Sequence, residues 1–313
     1  MSVVDTSQLA GHLLMIRPAC FGANPETGDS NAFQWPRDIP AATLQQQAVE
    51  EFDAAVACLE RSGIAVLVEA DTPWPAKSDA VFPNNWFSTH ANGLVVTYPM
   101  MSVNRRQEVR PDIIHRLGQR FCINEHWALD EMAPPDQFLE GTGSLVLDRV
   151  RQIAFACLSP RTSPQQVKQF CQRTGYRPHL FEAFDQRQVP VYHTNVMMSV
   201  LQNQVVICLD AVRDPQDRRR LAGELERAGK SLLDINQDQM DRFAGNLLQV
   251  GRMGQRPALV LSRTALDSLD AGTRQELERE SDLVVPEIPL IERYGGGSAR
   301  CLLAEIHLPE KRG

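Results

Sequence analysis

Long apolar runs are missing from this 313-residue chain, and none approaches the ~20 residues of a membrane-spanning helix. The opening residues lack the charged-then-apolar order of a signal peptide. No Cys-x-x-Cys, His-x-x-x-His or Cys/His cluster occurs, so the sequence offers no structural zinc site. The seven cysteines are odd in number and irregular in spacing. That pattern fits a reduced, cytoplasmic protein and excludes a disulfide scaffold. Excess basic charge is also missing. The formal net charge is −7 and is spread along the chain, which argues against nucleic acid or an anionic membrane as a partner. Low-complexity linkers are absent too.

What is present is the composition of a globular protein long enough for a sizeable core. Residues 1–313 read as one domain built on a loose repeat. The unit is a strand with a polar tip, a second strand, a helix and a further strand. Ser163-Pro164 opens one helix and Gly175 closes it; Asp214-Pro215 and Gly229 frame another. In each, a side-chain oxygen is expected to cap the start, with proline at the first helical position and glycine at the left-handed stop. Val167, Phe170 and Cys171 form the apolar face of the first, and Leu221, Leu225 and Ala228 that of the second. An earlier helix carries Val49, Phe52, Val56 and Leu59, stops near Gly63, and leads into an expected buried strand from Ile64 to Val68. Short apolar runs such as Leu94–Tyr98, Ile153–Cys157, Val196–Leu201 and Leu259–Leu261 predict further strands. The class is therefore α/β.

Asp79, Glu140, His193, Asn246 and Cys301 stand at the starts of successive units, 53 to 61 residues apart. Five similar units can close into a ring, which removes exposed sheet edges, and equivalent tips then converge on its axis.

Each tip has a plain alternative. Cysteine is more often a small buried hydrophobe than a nucleophile, and that reading suits Cys20, Cys58, Cys122, Cys157, Cys171 and Cys208. Cys301 differs, because it follows Gly295-Gly296-Gly297-Ser298-Ala299-Arg300, a segment with no packing pattern. Its glycines let backbone approach a ligand closely, and a nearby cation would favour the thiolate. His193 is either a satisfied core histidine or a general acid and base. On a strand, Asn195 would share its face. Glu140, before Gly141-Thr142-Gly143-Ser144, is either a solvated turn residue or a carboxylate aimed inward. Asp79 leads into Phe82-Pro83-Asn84-Asn85-Trp86, which is either a surface turn or a pocket wall able to grip a guanidinium. Met15 to Thr27 and Asn31 to Gln34 read as a strand and an aromatic-tipped loop, either ordinary or a lid over a substrate's amino-acid end.

In this order, Asp79, Glu140-Gly141, His193-x-Asn195 and the glycine-rich run into Cys301, the sequence resembles the guanidino-group-modifying enzymes, the amidinotransferase or arginine deiminase superfamily. Ile16-Arg17-Pro18, Asn31-x-Phe33-Gln34 and Phe82-Pro83-Asn84-Asn85-Trp86 look like its arginine-deiminase-related subgroup, which includes citrulline hydrolases. The resemblance implies a five-bladed pseudosymmetric α/β propeller whose N-terminal strand closes the ring. It implies Cys301 as nucleophile, His193 as proton carrier and Glu140 as its partner or a substrate ligand. Asp79, Asn195, Asn85, Asn246, Asn31, Phe33 and Arg17 become substrate-binding candidates. No metal or organic cofactor is implied, and the expected partner is a small amino-acid substrate; self-association into a homo-oligomer stays open. Arginine deiminases carry aspartate where this chain has Asn195, a neutral amide suited to a neutral ureido group. Citrulline is therefore the expected substrate. An arginine or dimethylarginine hydrolase, an amidinotransferase and a non-catalytic propeller remain alternatives.

Overall fold

Five three-stranded sheets carry the repeat in the computed structural model, which describes residues 8–28, 31, 33–35 and 38–311. In chain order the strands are β1 (His12–Arg17) and β2 (Ala65–Ala70), then β3 (Phe87–Thr89), β4 (Leu94–Thr97) and β5 (Glu125–Ala128). Next come β6 (Val146–Asp148), β7 (Ile153–Cys157) and β8 (Arg177–Phe181), followed by β9 (Met198–Val200), β10 (Gln204–Ile207) and β11 (Ser231–Asp234). The last are β12 (Leu248–Val250), β13 (Ala258–Val260), β14 (Asp282–Val284) and β15 (Ala304–Ile306). Four blades are contiguous triplets, β3–β5, β6–β8, β9–β11 and β12–β14. The fifth joins both ends of the described chain in the order β15-β1-β2, so the N-terminal strand closes the ring as expected.

One grammar explains the four contiguous blades, and the fifth keeps the same strand directions without a turn between β15 and β1. A tight turn makes the first two strands antiparallel, as where Val146 faces Phe155. A helical crossover makes the second and third parallel, as where Ile153 faces Arg177. The helix Pro164–Thr174 fills one crossover, and Gly175 ends it at φ +83°. The helix Pro215–Arg227 fills the next, capped by Asp214. Ser163 does not cap its own helix; its hydroxyl accepts the Phe138 N–H instead. Val167, Phe170 and Cys171 are buried as the spacing predicts. Removing a ring such as that of Phe170 would cost about 3–5 kcal/mol.

The run from Ile64 to Val68 departs from expectation. It feeds β2, whose residues are half or fully exposed, with Val68 at 43 %. β2 is an outer strand: Val66 packs toward the helix Ala41–Arg61 and Leu67 toward the helix Pro111–Arg120, while its strand edge is exposed. In the four contiguous blades both inner strands are buried at every residue, β3 with β4, β6 with β7, β9 with β10 and β12 with β13. All seven cysteines are free. Among the described residues, no helix is long and apolar enough to cross a membrane.

Candidate active site

Tight helical turns, rather than strand tips, present the polar residues. Pro83–Asn85, Gly141–Ser144, Thr194–Met197 and Ala299–Leu302 each form one turn just before the first strand of a blade. Residues 242–245 make the corresponding turn in the β12 blade. The turns interlock so closely that side chains are excluded at some positions. Gly141 sits at φ +47°, and a Cβ there would lie 2.3 Å from the Asn84 carbonyl oxygen. This crowding overrides the strand expected from Val196 onward. His193 is the residue before a helical turn, so Asn195 does not share its face, as it would on a strand.

His193 and Glu140 form a tight pair, with Nε2 2.7 Å from Oε2. Burial would raise the Glu140 carboxyl, but Arg161, the His193 hydrogen bond and Arg105 outweigh it and hold the carboxyl well below its usual range. An ionised carboxylate only accepts, so Nε2 carries the proton and Nδ1 keeps its lone pair. Burial pushes His193 down to about 4 although Glu140 opposes it, so the ring rests neutral. Nδ1 lies over Gly143, where a Cβ would approach it to 2.8 Å.

Asp79 is buried beside Arg105, Nε to Oδ2 3.4 Å, and accepts the Asn24 amide at 2.8 Å. Its Oδ1 has no partner. Burial raises its carboxyl above the ordinary range even with Arg105 beside it. Arg105 is held in turn by both Glu108 oxygens at 2.9 Å and by Asn85 Oδ1 at 3.1 Å. Arg161 lies across the same pocket, 3.5 Å from Glu140 Oε2, with its guanidinium 5.0 Å above the Tyr192 ring.

Cys301 is 4 % exposed and lines this pocket with Asp79, Phe82, Asn85, Arg105, Arg161, Tyr192, His193 and Asn31. The glycine run forms its wall. Gly296, at φ +65°, presents a carbonyl that receives the Tyr192 hydroxyl at 2.6 Å and the Asn31 amide at 3.3 Å. Asn246 Nδ2 lies 3.4 Å from Sγ and Asn195 Nδ2 3.7 Å. Burial raises the thiol above its usual value, while the Ser298 backbone, then Asn246, Arg300 and Asn195, pull the other way. Among the described residues, no group of three or more His, Cys, Asp and Glu side chains is set to hold a metal ion.

The structure thus brings together Cys301, His193, Glu140, Asp79, Asn85 and Asn31. Asn195 and Asn246 touch the sulfur but do not line the pocket in front of it. Phe33 packs on Tyr192 and Phe243, with centroids 6.1 and 5.2 Å away, and so supports the wall from behind. Arg17 is misplaced by the sequence reading. It ends β1, half exposed, and clamps Asp53 with two 2.8 Å bonds. The β1–β15 register carries the end of β1 toward the Ala299–Leu302 turn, but the Arg17 side chain is half exposed and held by Asp53, and it does not line the pocket. Arg105, Arg161, Tyr192 and Asn24 were not foreseen. Arg105 had a faint signal in its Arg-x-x-Glu spacing to Glu108; Arg161 had none.

The sequence matches the family described as N,N dimethylarginine dimethylhydrolase, eukaryotic, over residues 17–308. No curated protein matches it. Among solved structures it is similar to the N-terminal domain of ArgZ, an arginine dihydrolase from the ornithine-ammonia cycle in cyanobacteria, at 16 % identity and TM-score 0.73, covering 95 % of this chain and 98 % of that one. Unliganded AgrE aligns at 17 % identity and TM-score 0.73, over 96 % of this chain but only 40 % of that one. A dimethylarginine dimethylaminohydrolase adduct aligns at 14 % identity and TM-score 0.65, over 95 % of this chain and all of that one. These likenesses share the pseudo-five-fold propeller fold.

Proposed function

Since the chain belongs to the N,N dimethylarginine dimethylhydrolase family of the amidinotransferase superfamily, and is a hydrolase of non-peptide C–N bonds, we propose that it cleaves a ureido amino acid, citrulline, to ornithine, ammonia and carbon dioxide. One observation carries the choice of substrate. The pocket in front of Cys301 presents a single carboxylate, Asp79, and residue 195 beside the sulfur is a neutral asparagine. A buried guanidinium needs charged partners. Glu140 is already committed to His193 and Arg161, and Asp79 is itself drawn towards its neutral form. A ureido group carries no charge to compensate. Arg161 supplies the cation for the amino acid's carboxylate.

The Cys301 thiolate attacks the ureido carbon. His193, whose free nitrogen takes up the proton Cys301 loses, passes it to the side-chain nitrogen as that nitrogen's bond to the ureido carbon breaks, and ornithine leaves. Water, deprotonated by the same imidazole, attacks the carbamoyl thioester and frees the thiolate. The released carbamate splits into ammonia and carbon dioxide. Glu140 keeps the ring in one tautomer, and Asp79 and Asn85 hold the ureido group in line.

The family match supports a second substrate reading, hydrolysis of arginine or its methylated forms. A panel of citrulline, arginine and dimethylarginine, with ornithine, citrulline and ammonia quantified, separates the two. Citrulline should give the highest kcat/KM, and product formation should not depend on added glycine or ornithine, as an amidinotransferase would require. Asn195→Asp should shift the citrulline-to-arginine preference towards arginine by about tenfold, the worth of one unpaired charge at ~1.4 kcal/mol. An unchanged ratio removes the ground for ranking citrulline first.

A further inference from the structure

A neutral substrate raises a difficulty at the sulfur. A cationic substrate can draw the proton off a buried thiol by bringing its own charge, and a ureido group cannot. The protein must then stabilise the thiolate itself. The charged groups around Cys301 are poorly placed to do so. Arg300, its neighbour in sequence, turns its guanidinium to the Leu303 carbonyl at 2.8 Å and to Glu305 at 2.7 Å. Across the pocket, Arg105 is occupied by Glu108 and Arg161 by Glu140, while Asp79 is an anion or neutral. His193 rests uncharged, and the Tyr192 hydroxyl is spent on the Gly296 carbonyl. The Cys301 backbone N–H goes to the Ser298 carbonyl at 2.9 Å.

What reaches Sγ is amide: the Ser298 backbone and the side chains of Asn246 and Asn195. Asn246 is fully buried, and its orientation is fixed by two independent partners. Its Oδ1 accepts the Arg300 N–H at 3.1 Å, and its Nδ2 donates to the Asn195 carbonyl at 2.8 Å. Turning the amide over would set two carbonyl oxygens against each other and two N–H groups against each other. One hydrogen of Nδ2 is therefore left for the sulfur, at 3.4 Å. The protonated thiol also donates to Oδ1 at 3.6 Å, a bond the thiolate gives up while the Nδ2 bond strengthens. Asn195 adds a second amide nitrogen at 3.7 Å.

We propose that Asn246, seconded by Asn195, is a catalytic thiolate-stabilising residue: its locked amide donates to Sγ and makes Cys301 a nucleophile without help from the substrate. Asn246 is thereby moved from substrate ligand to partner of the reacting atom. The inference deepens the ureido reading, and its test is made without substrate so that the two can fail separately.

The test is alkylation of the full-length protein by iodoacetamide, in which the Cys301 thiolate displaces iodide and the thiol proton is lost to solvent. The rate is followed from about pH 6 to about pH 10. Cys301→Ser serves as the blank for the other six cysteines, and mass spectrometry assigns the modified residue. Asn246→Asp keeps the oxygen that receives the Arg300 N–H and replaces the donor with a carboxylate. It should move the midpoint up by about one unit, a roughly tenfold slower alkylation on the acid side. Asn195→Ala leaves the backbone carbonyl that holds Asn246 and should move it by about a third of a unit, roughly twofold in rate. Thermal midpoints confirm that each variant is folded. Should Asn246→Asp not fold, Asn246→Ser, which keeps a hydroxyl donor, takes its place and should fall between Asn195→Ala and Asn246→Asp. Midpoints that coincide with the wild type in the folded variants overturn the proposal, whatever the substrate panel shows.

Discussion

Around Cys301, Asp79, Glu140, Arg105 and Arg161 are buried together; a second buried cluster gathers Arg149, Arg300 and His307 on Glu305. The residue types are similar and the burial is nearly as deep, with Glu305 at 10 % exposure. The satisfaction of the polar atoms is different. Glu305 receives Arg300 at 2.7 Å and His307 at 3.0 Å, with Arg149 at 3.7 Å, and Arg149 also donates to the Thr89 carbonyl at 3.4 Å. None of these side chains is left with an unpartnered buried atom, whereas Asp79 Oδ1 and Asn85 Nδ2 both are. Buried charge alone therefore does not mark the site. Incomplete partners count where they line the pocket, as at Asp79 and Asn85, because there a ligand can supply the missing bonds; Asp71, Asp148 and Glu292 also keep an unpartnered oxygen but lie outside it.

The largest effect that sharpens this contrast is at Cys301. Cys301→Ser should lower turnover by about 10⁴-fold or more, with bound citrulline still detectable by calorimetry. Near-normal turnover would remove the nucleophile assignment. Next in size is a pair of matched neutralisations. Glu305→Gln takes the shared anion from two buried arginines and should destabilise the fold by about 3–5 kcal/mol while the folded fraction keeps its kcat. Asp79→Asn should do the reverse. Its stability change should stay under about 1 kcal/mol, because Arg105 keeps Glu108 and a raised carboxylate is relieved, while kcat/KM drops about 10²-fold. Denaturant melts beside steady-state kinetics read both arms. Equal stability losses at the two positions would erase the distinction between the clusters.

Much of this was legible in the chain. The Asp214 cap, the Gly175 stop and the Phe170 face act locally, so their spacing carried the helices and hence the repeat. The order of Asp79, Glu140, His193 and Cys301 followed from that repeat. The turns before each first strand were not legible. Gly141 and Gly143 are shaped by the Asn84 carbonyl and the His193 ring, which are distant in sequence. The run Val196–Leu201 therefore looked like strand from its start, although Val196 and Met197 belong to the helical turn Thr194–Met197. Arg161 was invisible for a related reason. It sits in a loop, and only the closed ring brings its guanidinium over Tyr192 and beside Glu140.

The smallest effect separates the site from its surroundings at Arg17. As a substrate ligand, the role its motif suggested, its loss should raise KM by tenfold or more. In the structure it holds Asp53 in an ion pair whose side chains are 46 % and 50 % exposed. The Asp53 hydrogen bond raises the guanidinium further above its already high value. Solvent screens such a pair, and exposed pairs contribute at most about 1 kcal/mol. Arg17→Ala should therefore leave KM and kcat within about twofold and cost less than about 1 kcal/mol of stability, with salt shrinking even that difference. A KM defect would mean that the end of β1 reaches the substrate, and that the boundary of the site lies further out than the pocket around Cys301.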